Sequence, residues 1–135
     1  MIFRPHLTSS EIDAIMATAR GFAEAQALAV TICIVDDGGH VLRLDRLDGA
    51  PLISLRVAEG KARTALELRM PTGLLEPSIA AMPSMIAIAD FYPFRGGVPL
   101  FHQGQCVGAI GVSGAAPEQD EETAQRGADS LGVPD

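Results

Sequence analysis

The chain has 135 residues, 47% of them hydrophobic and 20% charged, with a net charge of −7 and a pI near 4.8. That balance excludes a disordered chain, which has too little apolar surface to bury. It also argues against nucleic acid as a partner, because phosphate binding needs a basic surface. No Lys- or Arg-rich run offers a grip on an anionic membrane, and no stretch is apolar for long enough to span one. The length predicts one domain over residues 1–135, large enough for its own core. With no Trp and one Tyr, that core must be aliphatic. The opening Met1-Ile2-Phe3-Arg4-Pro5 lacks the regions of a signal peptide, so the expected location is cytoplasmic. Cys33 and Cys106 are unclustered and flanked by apolar residues, which predicts buried free thiols.

Thr8-Ser9-Ser10-Glu11 reads as a capping box, with Leu7 and Ile12 as its hydrophobic staple. The helix it opens carries Ile12, Ile15, Met16, Ala19, Phe22 and Ala23 on one stripe and runs to about Ala27. Val30 to Val35 is a β-branched run, hence a strand buried on both faces. Asp36-Asp37-Gly38-Gly39 is a hairpin turn, and His40 to Leu47 alternates as a half-exposed return strand. After Asp48-Gly49-Ala50-Pro51, Ser54 to Leu68 has helical periodicity. Gly73 to Ala81 predicts a short helix, and Met82 to Arg95 is irregular. A second hairpin pairs Val98–His102 with Gln105–Ser113 through Gly104, and Ala115 to Leu131 closes the chain as a helix with an acidic first turn. Dominant hairpins predict an α/β fold of the α+β kind, a mostly antiparallel sheet with helices packed on its faces.

Lys61 is the only lysine. Arg56, Glu59, Arg63 and Glu67 recur on one face of its helix, while Ile53, Val57, Thr64 and Leu68 recur on the opposite face, and Lys61 falls among these. An ammonium on an apolar stripe either snorkels to water or meets a partner in a pocket. Desolvated, it is a candidate acid or base; charged, it suits a carboxylate. The structural alternative is an ion pair with an Asp or Glu and a Thr64 bonded to its own helix. Gly96-Gly97 precedes a strand and permits close approach of a ligand to backbone, with Val98 next in line. Gly108, Gly111 and Gly114 punctuate the last strand, where a helix, a ligand or a second subunit could approach; Ser113 lies at its end. Glu118 and Asp120 serve the helix dipole, or meet a ligand or Lys61 if that helix end faces the pocket. His6, His40 and His102 are isolated, and no pair has metal-ligand spacing, so no metal site is expected.

Val35-Asp36-Asp37-Gly38-Gly39-His40, Leu47-Asp48-Gly49-Ala50, Lys61-Ala62-Arg63-Thr64-Ala65, Gly96-Gly97-Val98-Pro99-Leu100 and Val107-Gly108-Ala109-Ile110-Gly111-Val112-Ser113-Gly114 occur in one order. In that order the chain resembles the GlcG/HbpS-like proteins, which share their fold with the C-terminal part of PduO-type proteins, from about Leu7 to Leu131. The resemblance implies a profilin-like fold and homo-oligomers, from dimers to octamers. It also implies haem as a cofactor of some members, with the threonine matching Thr64 meeting the iron in one of them. Lys61 and Thr64, with Asp48, Val57, Gly96, Gly97, Val98, Ser113, Glu118 and Asp120, become the candidate site. The chain departs from the family pattern at Met82 to Phe94, where Phe91-Tyr92-Pro93-Phe94 replaces a simpler loop.

Two functions stay open on this reading. One is a small-molecule-binding protein for haem or a related flat ligand, with Thr64 toward the metal and Lys61 toward a propionate. The other is a cofactor-free isomerase, tautomerase or lyase for a small carbonyl or carboxylate compound. There Lys61 is the acid–base group or anion clamp, and Thr64, Ser113 and the Gly97-Val98 backbone bind developing negative charge.

Overall fold

The computed structural model describes residues 1–132. Its elements run α1 (Ser9–Ala25), β1 (Thr31–Asp36), β2 (Val41–Arg46), α2 (Ile53–Leu68), α3 (Leu75–Ala81), β3 (Gly97–His102), β4 (Gln105–Ser113) and α4 (Pro117–Asp129). The four strands form one fully antiparallel sheet in the order β2-β1-β4-β3, so the two hairpins are joined through β1 and β4. Thr8 and Glu11 close the capping box of α1 from both sides: the Glu11 amide donates to the Thr8 hydroxyl at 3.2 Å, and the Thr8 amide to the Glu11 carboxylate at 2.8 Å. Segment 82–94 holds one short 3-10 turn, Pro83–Ala87, and is otherwise irregular.

The sheet's two faces are covered in different ways. Ile15, Met16 and Ala124 of α1 and α4 pack with Ile32, Ile34, Val98, Leu100, Ile110 and Val112 in a core of large side chains. On the other face α2 meets the sheet through Ala58, Ala62 and Ala65 against Cys33, Val35 and Ala109. Here backbone nearly touches backbone. A Cβ on Gly111 would fall within 3.0 Å of the Ala58 carbonyl oxygen, and one on Gly97 equally close to the Lys61 carbonyl oxygen.

This thin seam corrects the predicted phase of α2. Ile53 is 67% exposed and Val57 and Leu68 are half-buried, whereas Ser54, Ala58, Lys61, Ala62 and Ala65 face the sheet. The large residues mislead because close helix–sheet approach selects small ones for the buried side. Arg69 ends α2 in the left-handed conformation, at φ 55° and ψ 40°. For a side chain with a Cβ that costs about 1–2 kcal/mol, offset here by two backbone bonds from its amide to the last turn. The reversal sends Pro71 and Thr72 back beneath the start of β3.

Candidate functional site

Lys61 projects from the sheet side of α2 toward the end of β4. Its ammonium donates to the Val112 carbonyl at 2.9 Å and lies 3.2 Å from an Asp120 carboxylate oxygen. Asp120 is positioned by the first turn of α4, and its other oxygen accepts from the Ala115 amide at 3.0 Å. Both side chains are 4% exposed. Burial pulls the Lys61 ammonium below its ordinary pKa against the attraction of Asp120. Burial likewise pushes the Asp120 carboxyl up, against Lys61 and the Ala115 and Gly114 amides. Gly96, at φ 131°, passes so close that an added Cβ would stand 2.9 Å from the Lys61 nitrogen. The ammonium is therefore enclosed by protein, and the acid–base role would need a substrate path that its burial does not give.

Thr64, one turn further along α2, points elsewhere. Its hydroxyl donates to the Gly60 carbonyl at 2.8 Å and accepts from the Tyr92 amide at 3.0 Å. The Tyr92 ring lies against Gly60, where a Cβ would fall within 3.0 Å of three ring atoms, so the ring presents its face to the helix. Ile53, Val57, Gly60 and Thr64 are spaced four, three and four apart and share one stripe of α2. Tyr92 covers the Gly60–Thr64 half of this stripe and leaves Ile53 open. A helix-interior glycine costs about 1 kcal/mol relative to alanine, and the ring supplies a reason for one here.

The segment that carries Tyr92 is held from below by Thr72, a fully buried residue whose hydroxyl donates to the Phe94 carbonyl and accepts from the Gly97 amide at 2.9 Å. From the side, Arg95 reaches Glu121 at 2.9 Å and Glu118 at 3.4 Å on α4.

The predicted site thus divides. Lys61, Gly96, Gly97 and Asp120 come together in a closed structural knot. Thr64 and Val57 lie on the outer stripe of α2. Val98 turns its side chain into the α1/α4 core, away from Lys61. Ser113 pairs across the sheet with Thr31, Glu118 is an exposed partner of Arg95, and Asp48 is exposed in the turn after β2. Among the described residues no three of His, Cys, Asp and Glu converge as a metal site. Sequence reasoning missed Gly60 and Thr72. A glycine inside a helical pattern was a readable signal for the first. Nothing marked the second, whose partners lie 22 and 25 positions away.

Whether these residues fit a flat cofactor is decided at Gly60, a cradle that a single Cβ would fill and that already holds one aromatic face. The place that a flat group would take against Gly60 is filled by the Tyr92 ring.

An antiparallel four-stranded sheet between α1/α4 and α2 defines the class. The chain belongs to the HbpS-like family: residues 7–129 match the family described as "Haem degrading protein HbpS-like". It is 34% identical over 108 residues to Protein GlcG of Escherichia coli strain K12, covering 79% of this chain and 81% of GlcG. A double mutant of Streptomyces reticuli HbpS superposes with a TM-score of 0.91 at 33% identity, covering 98% of this chain and 92% of that one. A crystal structure of a PduOC–haem complex gives a TM-score of 0.87 at 25% identity, covering 96% and 98%. No helix among the described residues is long and apolar enough to cross a membrane.

Proposed function

We propose that this protein binds haem or a related flat ligand on the outer stripe of α2, at the seat made by Val57, Gly60 and Thr64. The observation that carries this reading is the Tyr92 ring lying face-on against Gly60 beside the Thr64 hydroxyl. A position kept free of a Cβ and filled by a π-face is the shape complement of a planar ligand. The family and the haem held by the PduOC relative support haem as the first ligand to test. Haem, when bound, supplies a redox-active iron. This chain supplies the seat: Gly60 permits close approach, Val57 gives an apolar wall, and Thr64 offers a hydroxyl when the Tyr92 amide leaves it.

The test is titration of haemin into the purified protein, read at the Soret band, beside iron-free protoporphyrin. Wild type is expected to shift the Soret band at micromolar haemin. Gly60→Ala, which fills the cradle while favouring the helix, is expected to abolish the shift. Thr64→Ala should lower the preference for haemin over protoporphyrin, because the iron loses its hydroxyl while both ligands gain equally from any loosening of Tyr92. No shift in wild type, or an undiminished shift in Gly60→Ala, would sink the reading.

A further inference from the structure

The four residues 91–94 are held to the body of the protein by two threonine hydroxyls of opposite use. Thr64 accepts from the Tyr92 amide, and Thr72 donates to the Phe94 carbonyl while accepting from the Gly97 amide. Between the two anchors stands Pro93, which has no amide to donate and a fixed φ. Upstream, residues 82–90 are largely exposed, and their backbone bonds are local: the Met85 amide to Met82, Ile88 to Met85, and Phe91 to Ala89. Downstream, Gly96 is tied to β4 by the Val112 amide at 2.9 Å, so the chain beyond Phe94 belongs to the sheet. The two latches are therefore unequal. Both threonines are buried, but Thr72 joins two backbone groups and is fastened to the sheet margin at Gly97, whereas Thr64 holds the segment through a single bond to the Tyr92 amide.

We infer that Tyr92 is a tethered competitor for the seat on Gly60, with Thr64 as the releasable latch and Thr72 as the positioning residue at the pivot. The competitor half rests on the proposed flat-ligand function; the latch half stands on the hydrogen bonds alone. A ligand reaches the seat only in the fraction of molecules in which Tyr92 has swung out, so its apparent dissociation constant is the intrinsic one divided by that fraction. Losing the ring raises apparent affinity, and losing a latch raises the open fraction by roughly 2- to 12-fold, the usual worth of one hydrogen bond. The covered stripe and the free Ile53 beyond it then form one continuous apolar strip when the ring departs.

The test uses amide hydrogen exchange on the intact protein, resolved at residues 88–97, followed by haemin titration of the same variants. Thr64→Val should speed exchange of the Tyr92 amide by roughly 2- to 12-fold and leave Gly97 unchanged. Thr72→Val should speed Gly97 and Tyr92 together. Thr64→Ser and Thr72→Ser keep the hydroxyl and should exchange as wild type does, a rescue that loss of packing alone would not give. Tyr92→Ala should bind haemin more tightly than wild type. Unchanged exchange in Thr64→Val overturns the latch, and weaker haemin binding in Tyr92→Ala overturns the competitor. Absence of haemin binding in every variant, with the exchange pattern as expected, defeats the flat-ligand reading and upholds the latch.

Discussion

Lys61 and Asp120 illustrate how a buried pair orders a fold without adding much to its stability. Each ion gives up hydration, and their attraction with the Val112 and Ala115 bonds does little more than offset that loss. Removing one partner strands the other. Lys61→Met is expected to cost about 3–5 kcal/mol, measured by urea denaturation, because Asp120 is left buried and charged. The double variant Lys61→Met with Asp120→Leu should recover most of that loss. A double variant no more stable than Lys61→Met would show that the knot contributes more than mutual compensation. The peculiarity of Lys61 was legible in the sequence as a lone ammonium on the wrong face of a helix. Its partner was narrowed to Glu118 or Asp120 without a choice between them, because the pairing spans 59 positions and depends on which side of the acidic turn faces α2. Hydropathy said that the charge was misplaced; only the meeting of α2, β4 and α4 says what it meets.

Small residues govern the relation between α2 and the sheet. Because Gly111 faces the Ala58 carbonyl and the Ala62 amide, one added methyl pushes against backbone that has nowhere to go. Gly111→Ala is expected to destabilise by about 3 kcal/mol, the upper end of overpacking. Gly21→Ala, in the exposed middle of α1 with nothing within 4 Å of an added Cβ, should instead stabilise by about 1 kcal/mol through helix propensity. Equal denaturation midpoints for the two variants would refute the account of the seam. The element types and most of their ends followed from the sequence, since periodicity, the Thr8 capping box and the glycine turns are local signals. The buried side of α2 did not. A hydrophobic pattern locates the large residues, and here Ile53, Val57 and Leu68 mislead because the inward side is built from Ser54, Ala58, Lys61, Ala62 and Ala65.

At the scale of the whole molecule, charge sets a lower pH limit on stability. Burial pushes Asp45 up, but hydrogen bonds from Arg20 and Arg43 outweigh it and hold the carboxyl below its ordinary 3.8. In Asp36 burial is likewise outweighed, by the His40 and Gly38 amides and the His40 ring; the Thr8 amide and hydroxyl hold Glu11 below its ordinary 4.5. Groups whose folded pKa is depressed contribute stability that is complete above the unfolded value and is lost as pH falls through the folded one. Asp120, raised by burial, runs the other way and gains stability on protonation. With three groups against one, the urea midpoint is expected to stay level from about pH 7 to 5 and to fall below about pH 4; Asp45→Asn should make that fall shallower. A midpoint that rises on acidification would mean that Asp120 dominates. The strand order β2-β1-β4-β3 carries one more consequence, for synthesis. Thr31 to Val35 is buried throughout, yet Ile34 pairs with Ile110, 76 positions further along. At ribosomal rates the most apolar strand waits about 4–15 s for its second neighbour, with only α1, β2 and α2 available to shield it. Nascent chains stalled before β4 should therefore be held by chaperones and released once it has emerged.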